Sequence, residues 1–247
     1  MQITPTVKQL LIINILFFIG TQFVGDPAYE LLALYYPEGT KFQYWQPLTH
    51  MFMHGGIAHI AFNMFALYSF GSALEHFWGG KKFLFFYISC GLGAALFHTG
   101  VNYIELQNGM SSLADAGYAR QEVIAVLNGK NNQSLIALLN SPQYQSFVTT
   151  FFTPVVGASG AIYGLLVAFA FMVPNAELAL MFIPIPIKAK YFVPGLLCVD
   201  LFLGLKGNSI FGGGSGIAHF AHIGGAIVGF LMMWYWKKNS FNSNRWN

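Results

Sequence analysis

A serine, two histidines and an asparagine stand in contexts that suit acyl transfer. Ser159 lies in Gly157-Ala158-Ser159-Gly160-Ala161-Ile162-Tyr163-Gly164, at the start of an apolar run. If that run is a helix, its first turn leaves backbone N–H groups unpaired, and these, with the positive end of the helix dipole, can stabilise an oxyanion. His222 opens another apolar run, in Ala218-His219-Phe220-Ala221-His222-Ile223-Gly224-Gly225. A serine hydroxyl becomes an effective nucleophile when an adjacent base takes its proton, and histidine can do so near neutral pH. His59 and Asn63 are four residues apart and share one face of a third apolar helix, where their N–H donors can complete an oxyanion hole. Each motif also has a plain structural reading. Gly157, Ser159, Gly160 and Gly164 make a small-residue packing face, an intramembrane histidine can be a satisfied packing residue, and His59 with Asn63 can bond one helix to another. The G-x-S-x-G elbow of soluble hydrolases is excluded, because Ala161 replaces the second glycine and no strand pattern precedes it.

The elements that must position these residues are membrane elements. The 247-residue chain is 55% hydrophobic and 9% charged, whereas soluble domains carry about 25% charged residues. So few charges hardly cover a water-exposed surface. Net charge is only +3, with no dense basic run or basic–aromatic stripe, which argues against nucleic acid as a partner. About 20 apolar residues cross the hydrocarbon core, and six stretches approach that length: 8–24, 56–77, 83–101, 157–174, 190–205 and 218–236. The expected fold is an all-α membrane protein, a single domain over 1–247 built as a six-transmembrane-helix bundle. Lys8 and the apolar run Leu10–Val24 look like a signal peptide, but no A-x-A-like site follows, so the run is read as a retained first span.

Loop charges orient the bundle. With both termini cytoplasmic, only Lys41, Arg120, Lys130 and Lys206 of the 12 basic residues fall outside, as the positive-inside rule requires. Spans four and six are then two crossings apart and run parallel, so Ser159 and His222 share a depth near the outer side. Ala221, Gly225 and Gly229 form a stripe that lets span six approach span four closely. Span two descends from the outer side and brings His59 and Asn63 into the same layer. Among outer segments, 25–55 carries Tyr44-Trp45-Gln46-Pro47 and reads as an interfacial anchoring loop. Residues 102–150 read as a small helical insertion, periodic over 112–128 and 133–140 and broken at Asn128-Gly129. Its side suits contact with a substrate ectodomain or a partner. The Gly-rich stretch 206–216 reads as a mobile loop.

G-x-S-G on one span, A-H-x-G-G on the last and H-x-x-x-N on the second, in this order and spacing, together resemble the rhomboid intramembrane serine proteases over about residues 42–236. The resemblance implies Ser159 as nucleophile, His222 as general base, and His59, Asn63 and the Ser159 N–H as the oxyanion site. It implies that Tyr163 stacks on His222 and that Glu75 holds a structural position at the inner end of span two. The activity it implies is endopeptidase cleavage in or near transmembrane helices of membrane-protein substrates, through an acyl-enzyme. Spans two and five with the 206–216 loop would form the entry gate. Two departures stand out. Trp45 is followed by Gln46 where many family members have arginine, so the anchoring of that loop is expected to differ. The 102–150 insertion exceeds a minimal connection, and no role carries over to it. An alternative reading is a rhomboid-like pseudoenzyme that binds transmembrane helices without cutting them, against which the intact Ser159, His222, Asn63 and His59 argue. A transporter is the third class.

The remaining polar residues add little. His50 and His54, or His219 and His222, are spaced to share a metal, but no H-E-x-x-H occurs and no acid lies beside either pair in sequence. No metal or cofactor is expected. His54 and His219 are expected to tie loops to helix ends or to assist hydrogen bonding near the site, and His76 and His98 to be structural. Asp200, near the outer end of span five, is either a third triad member orienting His222 or a partner for the backbone of the 206–216 loop. The resemblance points to a dyad and so to the loop. Cys90 and Cys198 read as buried thiols. The expected partners are transmembrane protein substrates and the lipid bilayer. The expected location is a bacterial inner membrane, with both termini cytoplasmic and the site open to the outer side.

Overall fold

Pro5 takes the first position of a helix, where its missing N–H is no loss, and an apolar run extends that helix, α1, over Pro5–Val24 until Gly25 turns out at φ 72°. The unpaired N–H groups of its first turn meet the carboxylate of Glu75. The Thr6 and Val7 amides donate to it at 2.9 and 2.8 Å and the Thr4 hydroxyl at 2.5 Å. Glu75 thus caps α1 from another helix, with its charge where the helix dipole favours an anion. The computed structural model describes residues 2–180, 183–206 and 217–239. Residues 207–216 of the Gly-rich loop, and Arg245, lie outside the described residues.

Five further long elements follow: α2 (Ile57–Trp78), α3 (Gly80–Asp115), α4 (Ser159–Met172), α5 (Ala189–Lys206) and α6 (Ile217–Asn239). By length and composition α1, α2 and α3 are able to cross a membrane, while α4 is apolar but has only 14 residues. A π-helical turn over Leu67–Gly71 interrupts α2, a feature common at functional sites.

Two expectations are corrected. α3 does not stop near 101 but continues to Asp115, since no proline intervenes and the break waits for Gly117 at φ 92°. The expected 112–128 helix is therefore split, and the insertion proper consists of Arg120–Leu127, Gln133–Leu139 and Gln145–Phe152, with the break at Asn128-Gly129 in place. The chain is also not purely helical. Glu177–Leu180 pairs antiparallel with Ile183–Lys188, Glu177 opposite Lys188. Prolines at 184 and 186 bar a helix there and leave an edge-type strand.

The bundle closes on glycine. A Cβ on Gly225 would stand 1.9 Å from the Gly160 carbonyl oxygen, and one on Gly229 2.8 Å from the Gly164 Cα, so α6 lies backbone to backbone on α4. On its other side α4 meets α3, Gly160 facing Ala94 and Gly164 facing the buried Cys90. Cys198, expected to be buried, is exposed on α5.

The loop between α1 and α2 is anchored by the residue at which the resemblance breaks. Gln46 is 0% exposed, donates to the Glu30 and Lys41 carbonyls at 3.0 and 2.9 Å, and accepts from the Tyr35 amide at 3.3 Å. Beside it the Trp45 indole donates to the Leu31 carbonyl, and Tyr44 is exposed. A second apolar core lies under the insertion, where Leu106 and Leu113 of α3 meet Val123, Leu135 and Phe147. Tyr36 of the first loop joins it, and burial pushes its phenol up to about 12. Polar ties join the same segments. Arg120 bonds Glu38 at 2.5 Å, and the Asn128 side chain spans the Thr40 amide (3.0 Å) and the Glu38 carbonyl (3.1 Å).

Candidate active site

Ser159 is the first residue of α4, and the backbone delivers it through a tight approach. Val155 pairs with Leu34, and the Gly157 amide donates to the His50 carbonyl at 2.9 Å. Gly157 holds φ 132°, a region that favours glycine. A Cβ there would stand 2.9 Å from His59 Nε2 and 3.4 Å from Ser159 Oγ. His59, on the first turn of α2, therefore reaches the same small space as the serine hydroxyl. Its Nδ1 accepts from the Gly55 amide at 3.4 Å, which leaves Nε2 to carry the ring proton toward the serine. Asn63, one turn further along α2, is buried, and its Nδ2 has no hydrogen-bond partner among the described residues. An amide donor left open in a buried position is what a transient anionic oxygen would need.

His222, on α6, faces Ser159 directly. Its Nε2 lies 2.8 Å from Ser159 Oγ, and its ring lies flat on Tyr163, with centroids 4.3 Å apart and planes 9° from parallel. The glycine contacts between α4 and α6 allow this approach. The second ring nitrogen, Nδ1, lies 3.3 Å from Asp200 Oδ1. The same oxygen bonds His219 Nδ1, and Oδ2 accepts from the Tyr163 hydroxyl. Asp200, expected to bond loop backbone, is thus engaged by three side chains of α4 and α6. The sequence places no acid beside His219 and His222, but the fold brings Asp200 there, with ligand-type atoms of the three within 4.8 Å of one another. The signal that could have pointed to it is the residue type itself, a lone acid in an apolar helix.

The other histidines lie apart from this pair. His50 donates from Nδ1 to the Gln46 carbonyl at 3.1 Å, and burial pulls its ring down to about 4, so it stays neutral. The His54 carbonyl accepts from the Tyr29 hydroxyl at 3.0 Å, tying two segments of the α1–α2 loop together. His98 bonds Asn102 one turn on within α3.

A hydroxyl at hydrogen-bond distance from an imidazole, with N–H donors converging nearby, is an arrangement suited to nucleophilic acyl transfer. The family model described as the Rhomboid domain matches residues 41–239. The chain belongs to the rhomboid family. Its relatives include rhomboid protease AarA of Providencia stuartii, 29% identical over 199 residues that cover 76% of this chain and 54% of that protein. Rhomboid protein 1, mitochondrial, of Saccharomyces cerevisiae is 27% identical over 188 residues, 76% of this chain and 40% of that protein. Rhomboid protease GluP of Bacillus subtilis is 41% identical over 54 residues, 22% of this chain and 11% of that protein. This rhomboid chain thus spans about half the length, or less, of the curated relatives it matches. The family acts on transmembrane substrates within the lipid bilayer.

Proposed function

We propose that this rhomboid is an intramembrane serine endopeptidase that hydrolyses peptide bonds in or near transmembrane helices of membrane-protein substrates. The observation that carries the reading is the 2.8 Å contact between Ser159 Oγ and His222 Nε2, under a stacked Tyr163. As Oγ attacks the scissile carbonyl carbon, its proton passes to Nε2. The oxyanion is held by the Ser159 N–H, the His59 ring N–H and the Asn63 amide. Collapse breaks the C–N bond, the leaving amine takes the proton from Nε2, and water then hydrolyses the Ser159 ester with His222 again as base. No metal or cofactor enters this sequence. The chain acts as one membrane domain over 1–247 with six spans. The distribution of basic residues supports cytoplasmic termini in a bacterial inner membrane and a site open to the outer side.

The test is cleavage of a reconstituted single-span substrate by purified protein, with and without chelator. Wild type is expected to cut in both conditions. Ser159→Ala and His222→Ala should each lose activity by about 10³-fold or more. A fluorophosphonate should label wild type and not Ser159→Ala. A folded wild type that neither cuts several substrates nor takes the label would replace this reading with a helix-binding pseudoenzyme.

A further inference from the structure

An ionised carboxylate in an apolar bundle is costly unless paired, and an acid inside membrane helices is a functional-site candidate for that reason. Asp200 is the only acidic residue in α4, α5 or α6, and it is 1% exposed. Its oxygens divide their partners. Oδ1 takes His219 Nδ1 and faces His222 Nδ1 at 3.3 Å, while Oδ2 takes the Tyr163 hydroxyl. His222 is therefore held twice by one carboxylate, at its edge directly and at its face through the tyrosine ring stacked on it.

We propose that Asp200 is a positioning residue for His222, extending the Ser159–His222 pair to a Ser159–His222–Asp200 triad. The inference rests on the protease reading above. A neutral imidazole carries one proton, and donation of Nδ1–H to Oδ1 leaves the Nε2 lone pair pointing at the serine 2.8 Å away. When Nε2 takes the serine proton, the imidazolium forms beside a carboxylate already in place. That proton later leaves from Nε2 to the amine, Nδ1 keeps its own, and Asp200 stays ionised throughout. The competing account is that Asp200 only ties α5 to α6 through His219. That account predicts lost stability with an unchanged chemical step.

The experiment uses the whole chain with a single-span reporter substrate, comparing wild type, Asp200→Asn, Asp200→Glu and Tyr163→Phe, with thermal unfolding followed alongside. Asp200→Asn should lower kcat by about 10⁴-fold, the loss seen when a triad histidine loses its acid, and leave KM nearly unchanged. Asp200→Glu should recover part of the loss. Tyr163→Phe, which keeps the stacked ring without the hydroxyl, should fall between wild type and Asp200→Asn. A folded Asp200→Asn protein with a kcat close to wild type overturns the proposal. Nitrogen-15 spectra of histidine-labelled protein, with His222 assigned from His222→Ala, read the same point without activity. A protonated Nδ1 and bare Nε2 in wild type support it, and the opposite tautomer overturns it even if Asp200→Asn cannot fold. Should wild type neither cleave any substrate nor accept a fluorophosphonate, the protease reading fails, while these spectra still decide where Asp200 acts.

Discussion

At Gly157 a missing side chain governs the geometry of the site. The positive φ suits glycine, and the space a Cβ would take is already filled by His59 Nε2 and bordered by the serine hydroxyl. Gly157→Ala should therefore push His59 and Ser159 apart. Displacements near 1 Å at a reacting centre can cost about 10²-fold in rate, and backbone strain of this kind costs about 1–3 kcal/mol. The expected outcome is a large fall in cleavage with a modest fall in melting temperature. Unchanged cleavage in a folded variant would mean that His59 does not share the serine's space. At this scale the sequence was most readable where residue types are rare in lipid. Ser159, His222, His59 and Asn63 stood out because polar groups in apolar runs require an explanation. The partners of Asp200 did not, because they depend on how α5 is rotated about its axis. The uniformly apolar sequence around Asp200 supplies no stripe to fix that rotation.

Between elements, the bundle is joined by a few contacts of high value. Glu75 closes the open start of α1 with three hydrogen bonds from residues about 70 positions away. Glu75→Gln keeps the shape but loses the charge and at least one acceptor. Hydrogen bonds to charged groups are worth about 1.5–3 kcal/mol, so a lower unfolding temperature is expected, together with faster hydrogen exchange over the first turn of α1. Equal exchange in wild type and variant would show that α1 does not depend on this cap. Element types were legible where apolar runs were long, and boundaries were not. α3 outran its apolar segment because polar residues such as Asn102 and Gln107 extend a helix as readily as they end one, until Gly117 stops it. The Glu177–Lys188 hairpin was missed because its pairing joins two segments too short for a periodicity to emerge.

At the scale of the whole molecule, the described residues form two apolar cores, one within the helix bundle and one under the insertion. α3 contributes to both, and the α1–α2 loop joins the second through Tyr36, Glu38 and Thr40. The insertion is therefore a brace for that loop. Asn128→Ala removes both of its backbone ties and should raise hydrogen exchange at residues 36–40 while the bundle keeps its protection. An unchanged exchange pattern there would mean that the Arg120–Glu38 pair and the apolar contacts of Tyr36 hold the loop without Asn128. The location of the insertion was legible from its polarity. Its attachment was not, since the residues that meet there are nearly 90 positions apart.

The shortness of α4 carries a further consequence. Fourteen residues rise about 21 Å, while the hydrocarbon of a bilayer is about 30 Å thick. On the proposed protease reading, a helix that starts with the nucleophile and falls short of the full thickness would act as a ruler. It would assign the severed bond an address in height, and a substrate would be selected partly by which of its residues comes to rest at that level. Two helices of identical sequence, held at different heights by their flanking anchors, would then be cut at different bonds.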